Sequence, residues 1–269
     1  WLERAASVTE EKVVPAIQAA RKAGMTVIHG PSPEVAAKFP QNNRNPVVTA
    51  VTPDPDAPDW PPDAFRKREG QFAAYAGPRS QPPGIDVHWA ELKEQLSISS
   101  AVKVLDDDIV ISSGPQMHRV LADRGIMHLI YAGFATNWCI LGRDYGIRAM
   151  TRYGYNIIML RDCTAGVEFP DTLEDLMVTE IALREIEQQF GFTASNDDFS
   201  TTWITSEVGE SIIRYYSFVV HINIYIVTEC IDVIVGHGYV IPITRHHVHT
   251  TGCSTGVISG TNLHFITTG

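Results

Sequence analysis

No stretch of the 269 residues is apolar for long enough to cross a bilayer, which takes about 18 to 20 residues. The closest run, Phe218 to Val235, is interrupted by His221, Asn223, Glu229 and Asp232. No membrane span is expected. Cysteine is scarce too. Cys139, Cys163, Cys230 and Cys253 stand alone, and no pair has CxxC spacing. They make no disulfide framework, nothing demands an oxidising compartment, and a cytoplasmic location is expected. Positive charge is in the minority: Lys+Arg is 21 and Asp+Glu is 31, a net charge of −10. An acidic surface disfavours nucleic acid and anionic lipid as partners. No block of like charge suggests a binding tail. The opening residues, Trp1 to Arg4, read neither as a signal peptide nor as a start, so the chain is expected to begin inside a longer protein.

What is present falls into three zones. Thr9 to Gly24 has helical spacing, with Val13, Val14, Ile17 and Ala20 near one face, Thr9 as N-cap and Gly24 as stop. Met25 to His29 follows as a short buried strand. Residues 31–83 hold twelve of the sixteen prolines and no periodicity, which reads as a long excursion or lid. From 101 to 203 strands and helices alternate: strands Asp108–Ile111, Met127–Ala132 and Tyr155–Leu160, helices Gln116–Arg124, Asn137–Tyr153 and Asp171–Phe190. Such alternation predicts an α/β protein with a mostly parallel sheet covered on both faces. Beyond about residue 204 the chain holds six of its 52 charged residues, no lysine and six of its ten histidines. β-branched runs at Ile222–Val227 and Ile231–Val235 make this a β-rich C-terminal extension.

The chemistry concentrates between Ile130 and Cys139. A buried strand ends near Gly133, a helix is predicted from Asn137, and Cys139 falls in its first turn. There the thiol faces unpaired backbone N–H groups and the positive end of the helix dipole, conditions that favour a thiolate nucleophile. The same N–H groups can hold an oxyanion. The carboxyl ends of parallel strands are where open α/β sheets bind ligands. The plain alternative is a buried structural cysteine.

The stretch Gly133-Phe134-Ala135-Thr136-Asn137-Trp138-Cys139, the following segment Gly142 to Met150, and the strand end Leu160-Arg161-Asp162-Cys163-Thr164-Ala165 resemble the isochorismatase-like cysteine hydrolases, the superfamily that includes nicotinamidases. The resemblance runs from about Thr9 to Phe199. It implies a three-layer αβα sandwich (Rossmann-like), with residues 1–203 as the hydrolase domain and 204–269 as an extension of unknown role. It implies Cys139 as nucleophile, a cis peptide at Phe134–Ala135, and the N–H groups of Ala135 and Cys139 as the oxyanion hole. It also implies a homo-oligomer acting on a small molecule. Pro31 to Pro33 and Arg143 to Arg148 look like an uncharacterised branch.

Two family residues have no clear counterpart. The family's Asp base ends a first strand that lies before the first helix, and no Asp precedes Thr9. One reading is that a strand of the extension fills that vacant place, with Asp232 supplying the carboxylate. The family's Lys precedes the segment matching Gly114 to Met117, and Lys103 is the nearest lysine. Phe134, Thr136, Trp138 and His29 are the candidate substrate-binding residues. Asp86 with His88, and His246, His247 and His249 with Cys253, imitate parts of metal sites but match no specific module. No metal or cofactor is expected. Glu168 is read as a surface acid. The activity implied is hydrolysis of a small amide through an acyl-enzyme. Vinyl-ether hydrolysis, and a catalytically impaired binding protein, are the alternatives.

Overall fold

The computed structural model describes residues 1–45, 58–75, 94–205, 216–221, 233–235 and 239–241. Residues 1–226 form one compact unit and 227–269 a second. The chain opens with α1 (Leu2–Val8), a π turn (Thr9–Val13) and α2 (Val14–Lys22), which run on as one helix. This helix starts earlier than its spacing predicts, and Thr9 does not cap it. The Thr9 hydroxyl donates to the Ala5 carbonyl at 2.7 Å, which satisfies it in mid-helix. Pro15 accounts for the wide turn: it has no N–H and its ring crowds the carbonyl four residues back, so the helix widens just upstream.

β1 (Thr26–His29) follows, then the short helices α3 (Pro33–Ala36), α4 (Pro40–Asn43) and α5 (Asp63–Arg66) in the proline-rich zone. The alternating region supplies β2 (Ile109–Val110), α6 (Gly114–Asp123), β3 (His128–Phe134), α7 (Ile147–Arg152), β4 (Asn156–Ala165), α8 (Met177–Gln189), β5 (Gly191–Ala194) and α9 (Asn196–Thr205). Ser113 caps α6, its hydroxyl accepting from the Gln116 amide at 3.3 Å. α8 begins at Met177, not Asp171, because Glu168 holds its first turn. The carboxylate accepts from the amides of Val178 (3.0 Å) and Thr179 (2.8 Å). Glu168 is thus half-buried and structural, where a surface position is expected from sequence.

β6 (Tyr216–His221) is the strand that the C-terminal zone supplies to the sheet. It comes from the C-terminal zone yet lies in the middle of the main sheet, whose six parallel strands run β2–β1–β6–β3–β4–β5. Ser217 to Val220 pair with Thr26 to His29 on one side, and Tyr216 to His221 with His128 to Gly133 on the other. The reason is in the side chains. Phe218, Val219 and Val220 are all buried, and a strand apolar at successive positions belongs between two covered faces. Asp232, the carboxylate suggested for the vacant strand, lies outside the described residues, as do Ile222 to Val227. Of the expected strand over 231–235, β7 (Val233–Val235) is formed and pairs antiparallel with β8 (Tyr239–Ile241) in the second unit.

The sheet is covered on both faces. On one, Val13, Ala16, Ile17 and Ala20 of the first helix and Phe199 of α9 pack on Val27, Ile130, Ala132, Phe218 and Val220. On the other, Met117 and Leu121 of α6, Ile147 and Met150 of α7, and Leu183 and Ile186 of α8 pack on Ile28, Leu129, Tyr131, Ile157 and Val219. This is the three-layer α/β architecture expected. Among the described residues no helix is long and apolar enough to cross a membrane.

Candidate active site

The site is built at the carboxyl end of β3. Gly133 sits there at φ +111°, a conformation open to glycine, and its missing side chain leaves room for the His221 carbonyl of β6. The next peptide, Phe134–Ala135, is cis, as the resemblance implies. A π turn over Thr136–Ile140 then carries Cys139. The Ala135 carbonyl accepts from the amides of Trp138 and Ile140, both at 3.1 Å, and passes over that of Cys139. Cys139 itself is half-buried.

The other candidate residues divide by position. Phe134 and Ala135 are buried in the core under α1 and α2. Thr136 is fully buried. Its hydroxyl shares a 2.6 Å hydrogen bond with Thr164, whose own hydroxyl donates to the Gly133 carbonyl at 2.7 Å. Thr136 therefore clamps the turn from inside. Trp138, next to Cys139 in the turn, is 61% exposed. Asn137 accepts from the Val167 amide at 2.9 Å and ties the turn to the loop after β4.

His29 and Lys103 are not brought to Cys139. His29 ends β1, two strands away, and its Nε2 lies 2.9 Å from the Asp108 carboxylate. Arg21 and the Leu105 amide donate to the same oxygen, at 2.5 and 2.9 Å. Burial alone would raise the Asp108 pKa, but these three donors, His29 first, hold it below its usual value. Lys103 is exposed ahead of β2, and its carbonyl accepts from Arg21 in the last turn of α2. That turn leads into the start of β1, so Lys103 lies at the amino edge of the sheet and Cys139 at the carboxyl edge. Asp86, His88, Cys230, His246, His247, His249 and Cys253 lie outside the described residues. Among the described residues no three His, Cys, Asp or Glu side chains are grouped to hold a metal ion.

The helix expected over Asn137–Tyr153 is broken, and the break brings in residues that the sequence reading passes over. After the π turn the chain turns back through Arg143 to Gly146 before α7 begins. Gly146 permits this: a Cβ there would stand 2.7 Å from the Ile140 carbonyl and 3.0 Å from that of Cys139. The turn buries Tyr145, whose hydroxyl donates to the Pro31 carbonyl at 2.5 Å and whose carbonyl accepts from Tyr131 at 3.0 Å. It also returns Arg143 to Cys139. The Arg143 amide donates to the Cys139 carbonyl at 3.3 Å. Burial by itself would lower the Arg143 pKa, but Tyr145, Cys139 and Glu34 outweigh it and raise it. With so short a helix the dipole expected to activate Cys139 is small, and the nearby charge is a side chain.

His221, at the end of β6, is the other residue missed. It is 2% exposed and stacked between Tyr131 and Tyr145, with ring centroids 5.6 and 5.1 Å away. Among the described residues neither ring nitrogen has a hydrogen-bond partner. Burial first, and the Arg143 cation second, lower its pKa to about 3. The sign of the linkage follows. The unfolded ring takes up a proton near pH 6.5, the folded one only near about 3. Stability from this group is complete above pH ~6.5 and is lost as the pH falls towards ~3. His221→Phe should therefore flatten the fall of the urea midpoint between pH 7 and pH 4. An acid slope identical to that of the unaltered protein would count against it.

The chain is similar to several known proteins. The isochorismatase domain pattern matches residues 2–198. The ureidoacrylate amidohydrolase RutB of Pseudomonas savastanoi pv. phaseolicola is 32% identical over 204 residues, which cover 72% of this chain and 70% of that protein. The ureidoacrylate amidohydrolase RutB of Pseudomonas syringae pv. syringae matches to the same extent, 32% over 204 residues, covering 72% and 70%. Among solved structures, a cysteine hydrolase from Pseudomonas syringae pv. phaseolicola 1448A is 17% identical, with a TM-score of 0.47, covering 76% of this chain and 84% of that one.

Proposed function

The chain belongs to the isochorismatase family of hydrolases, and we propose that within it this protein is a cysteine amidohydrolase that cleaves the C–N bond of a small amide with Cys139. The observation that carries this reading is the placement of Cys139. A half-buried thiol stands directly after a buried parallel strand, at the sheet edge where such folds bind ligands. Arg143, one turn on, donates its amide to the Cys139 carbonyl. The relatives named as ureidoacrylate amidohydrolases support an amide or ureido substrate.

In this mechanism the Cys139 sulfur attacks the substrate carbonyl carbon. The amides of Ala135 and Cys139 hold the oxygen as it becomes an oxyanion. The C–N bond breaks, and the nitrogen leaves with the proton given up by the thiol. Water then attacks the thioester, the C–S bond breaks, the acid departs and the thiol is restored. The working form is proposed to be a cytoplasmic homo-oligomer.

Cys139→Ser is expected to lower turnover of a panel of small amides and ureido acids on the order of 10³-fold or more. The Cys163→Ala variant is the control. Cys163 is fully buried, and burial pushes its thiol up, so it is a poor thiolate. Iodoacetamide on the folded protein should accordingly label Cys139 and leave Cys163 for the denatured state. Amide turnover that survives Cys139→Ser would defeat the reading, and vinyl-ether cleavage by the same variant would replace it.

A further inference from the structure

We propose that Tyr145 is a positioning residue of this site: it locks the return turn 143–146, which holds Cys139, and so sets where the thiol stands relative to the amides of Ala135 and Cys139. The proposal rests on the reading of Cys139 as nucleophile and names what orients it.

Cys139 has little of its own to fix it. The π turn that carries it spans 5 residues, too few to be rigid without outside support. That support comes from the turn Arg143 to Gly146. The Arg143 amide donates to the Cys139 carbonyl at 3.3 Å, and a Cβ on Gly146 would stand 3.0 Å from the same oxygen. The turn closes on itself, the Gly146 amide donating to the Arg143 carbonyl at 2.9 Å. A shift of residues 143–146 therefore moves the Cys139 peptide with it.

Separate elements grip that turn, and Tyr145 meets two of them. Its hydroxyl donates to the Pro31 carbonyl at 2.5 Å, just beyond β1. The loop there is itself fixed, because the Gly30 amide donates to the Val220 carbonyl of β6 at 2.8 Å. The Tyr145 carbonyl accepts from the Tyr131 hydroxyl of β3 at 3.0 Å. Beside it, the Asp144 carboxylate accepts the Gly114 amide at the start of α6, at 2.7 Å. The Tyr145 ring has no room to swing. It stacks on His221 with centroids 5.1 Å apart, and a Cβ on Gly30 would come within 3.0 Å of its edge. Pro31, Tyr131 and Tyr145 are all buried. A buried carbonyl that loses its donor carries the full cost of leaving water, so each of these hydroxyls holds its partner firmly.

The test compares Tyr145→Phe with Tyr155→Phe in the full chain. The first keeps the ring and removes the hydrogen bond to Pro31. The second is a hydroxyl deletion away from the turn: Tyr155 precedes β4 at the amino edge of the sheet, its hydroxyl 2.8 Å from His118 Nδ1. Hydrogen exchange, followed by mass spectrometry of peptides covering 136–146, needs no substrate. Tyr145→Phe should speed exchange there about tenfold and change peptides of α2 and α8 by no more than about twofold. Tyr155→Phe should leave 136–146 as it is. On whichever small amide the unaltered protein turns over fastest, Tyr145→Phe should lower kcat about tenfold and keep KM within about twofold, because a misplaced reacting atom is felt in the transition state. Tyr131→Phe removes the other hydroxyl from the same turn and should show the same pattern, so it decides the matter if Tyr145→Phe does not fold. The double variant should lose less than the product of the two, since both hydroxyls secure one turn.

Exchange over 136–146 that is unchanged in Tyr145→Phe and Tyr131→Phe overturns the proposal. So does exchange that quickens equally in every peptide, the mark of a general loss of stability, and so does a fall in activity through KM alone. Failure of the nucleophile reading is seen separately. Turnover surviving in Cys139→Ser removes the nucleophile and with it the role of Tyr145 in turnover. Flat exchange with Cys139→Ser inactive removes Tyr145 alone.

Discussion

A chain ending at Thr205 is expected not to fold. It lacks β6, which is the strand between β1 and β3. Thr26 to His29 lose one of their two neighbours, and His128 to Gly133 lose another, so two rows of backbone groups buried at the centre of the sheet go unpaired. Phe218, Val219 and Val220 also leave both faces of the core. Losing one such side chain from a packed core costs about 2–5 kcal/mol, and a domain has roughly 5–15 kcal/mol in all. Truncation removes three together with their hydrogen bonds. Circular dichroism and urea unfolding check this. The shortened chain should show no cooperative transition. A sharp transition within about 1 kcal/mol of the full chain's would show that β6 is dispensable. Val219→Asp makes the point without truncation. A carboxylate at this buried position has no partner, and the loss should exceed ~4 kcal/mol.

Gly133→Ala is the second large effect. The new Cβ would stand 2.0 Å from the His221 carbonyl oxygen and 2.6 Å from its carbon. These are backbone atoms of the central strand and cannot rotate away. The φ of +111° is also one that L side chains rarely adopt. Relief requires β3 and β6 to part where the chain turns towards Cys139. We expect a loss above ~4 kcal/mol in urea unfolding. Gly142→Ala is the matched control. Its Cβ would meet nothing within 4 Å, and stability should move by no more than about 1 kcal/mol. Equal destabilisation of the two variants would refute the argument from close approach.

The contrast between Cys139 and its neighbours shows what was legible in the sequence. The strand, its glycine and the cysteine that follows could be read because they are local: an apolar run, a break and a thiol within ten residues. The alternating strands and helices gave the layered architecture for the same reason. Arg143 could not be read as a partner of Cys139 in this way. An unbroken helix also places it one turn on, but its contact depends on the turn that Gly146 allows against the carbonyls of Cys139 and Ile140. His221 was hidden for a different reason. A buried apolar run signals a strand but not its neighbours, and the partners of β6 lie far away in the sequence. Thr9 and Glu168 show the limits of capping rules. Each has the chemistry of a helix start, but Thr9 bonds backward within a longer helix and Glu168 reaches forward eleven residues to Thr179 in the first turn of α8. Lys103 is near only in sequence, while the sheet separates its two edges by the length of the strands.

The sheet's central strand also sets an order in time. The Ser217 hydroxyl donates to the Thr26 carbonyl across 191 positions of sequence, at 3.0 Å. During synthesis β1 and β3 leave the ribosome well before β6 exists, so neither can meet its permanent neighbour until more than 200 residues have been made. A nascent chain must carry the unpaired edge of β1 from residue 29 to 216 and that of β3 from 134 to 216, at roughly 5–20 residues per second. That interval is when a chaperone would matter most to this protein, and when wrong pairing between neighbouring chains competes with correct closure.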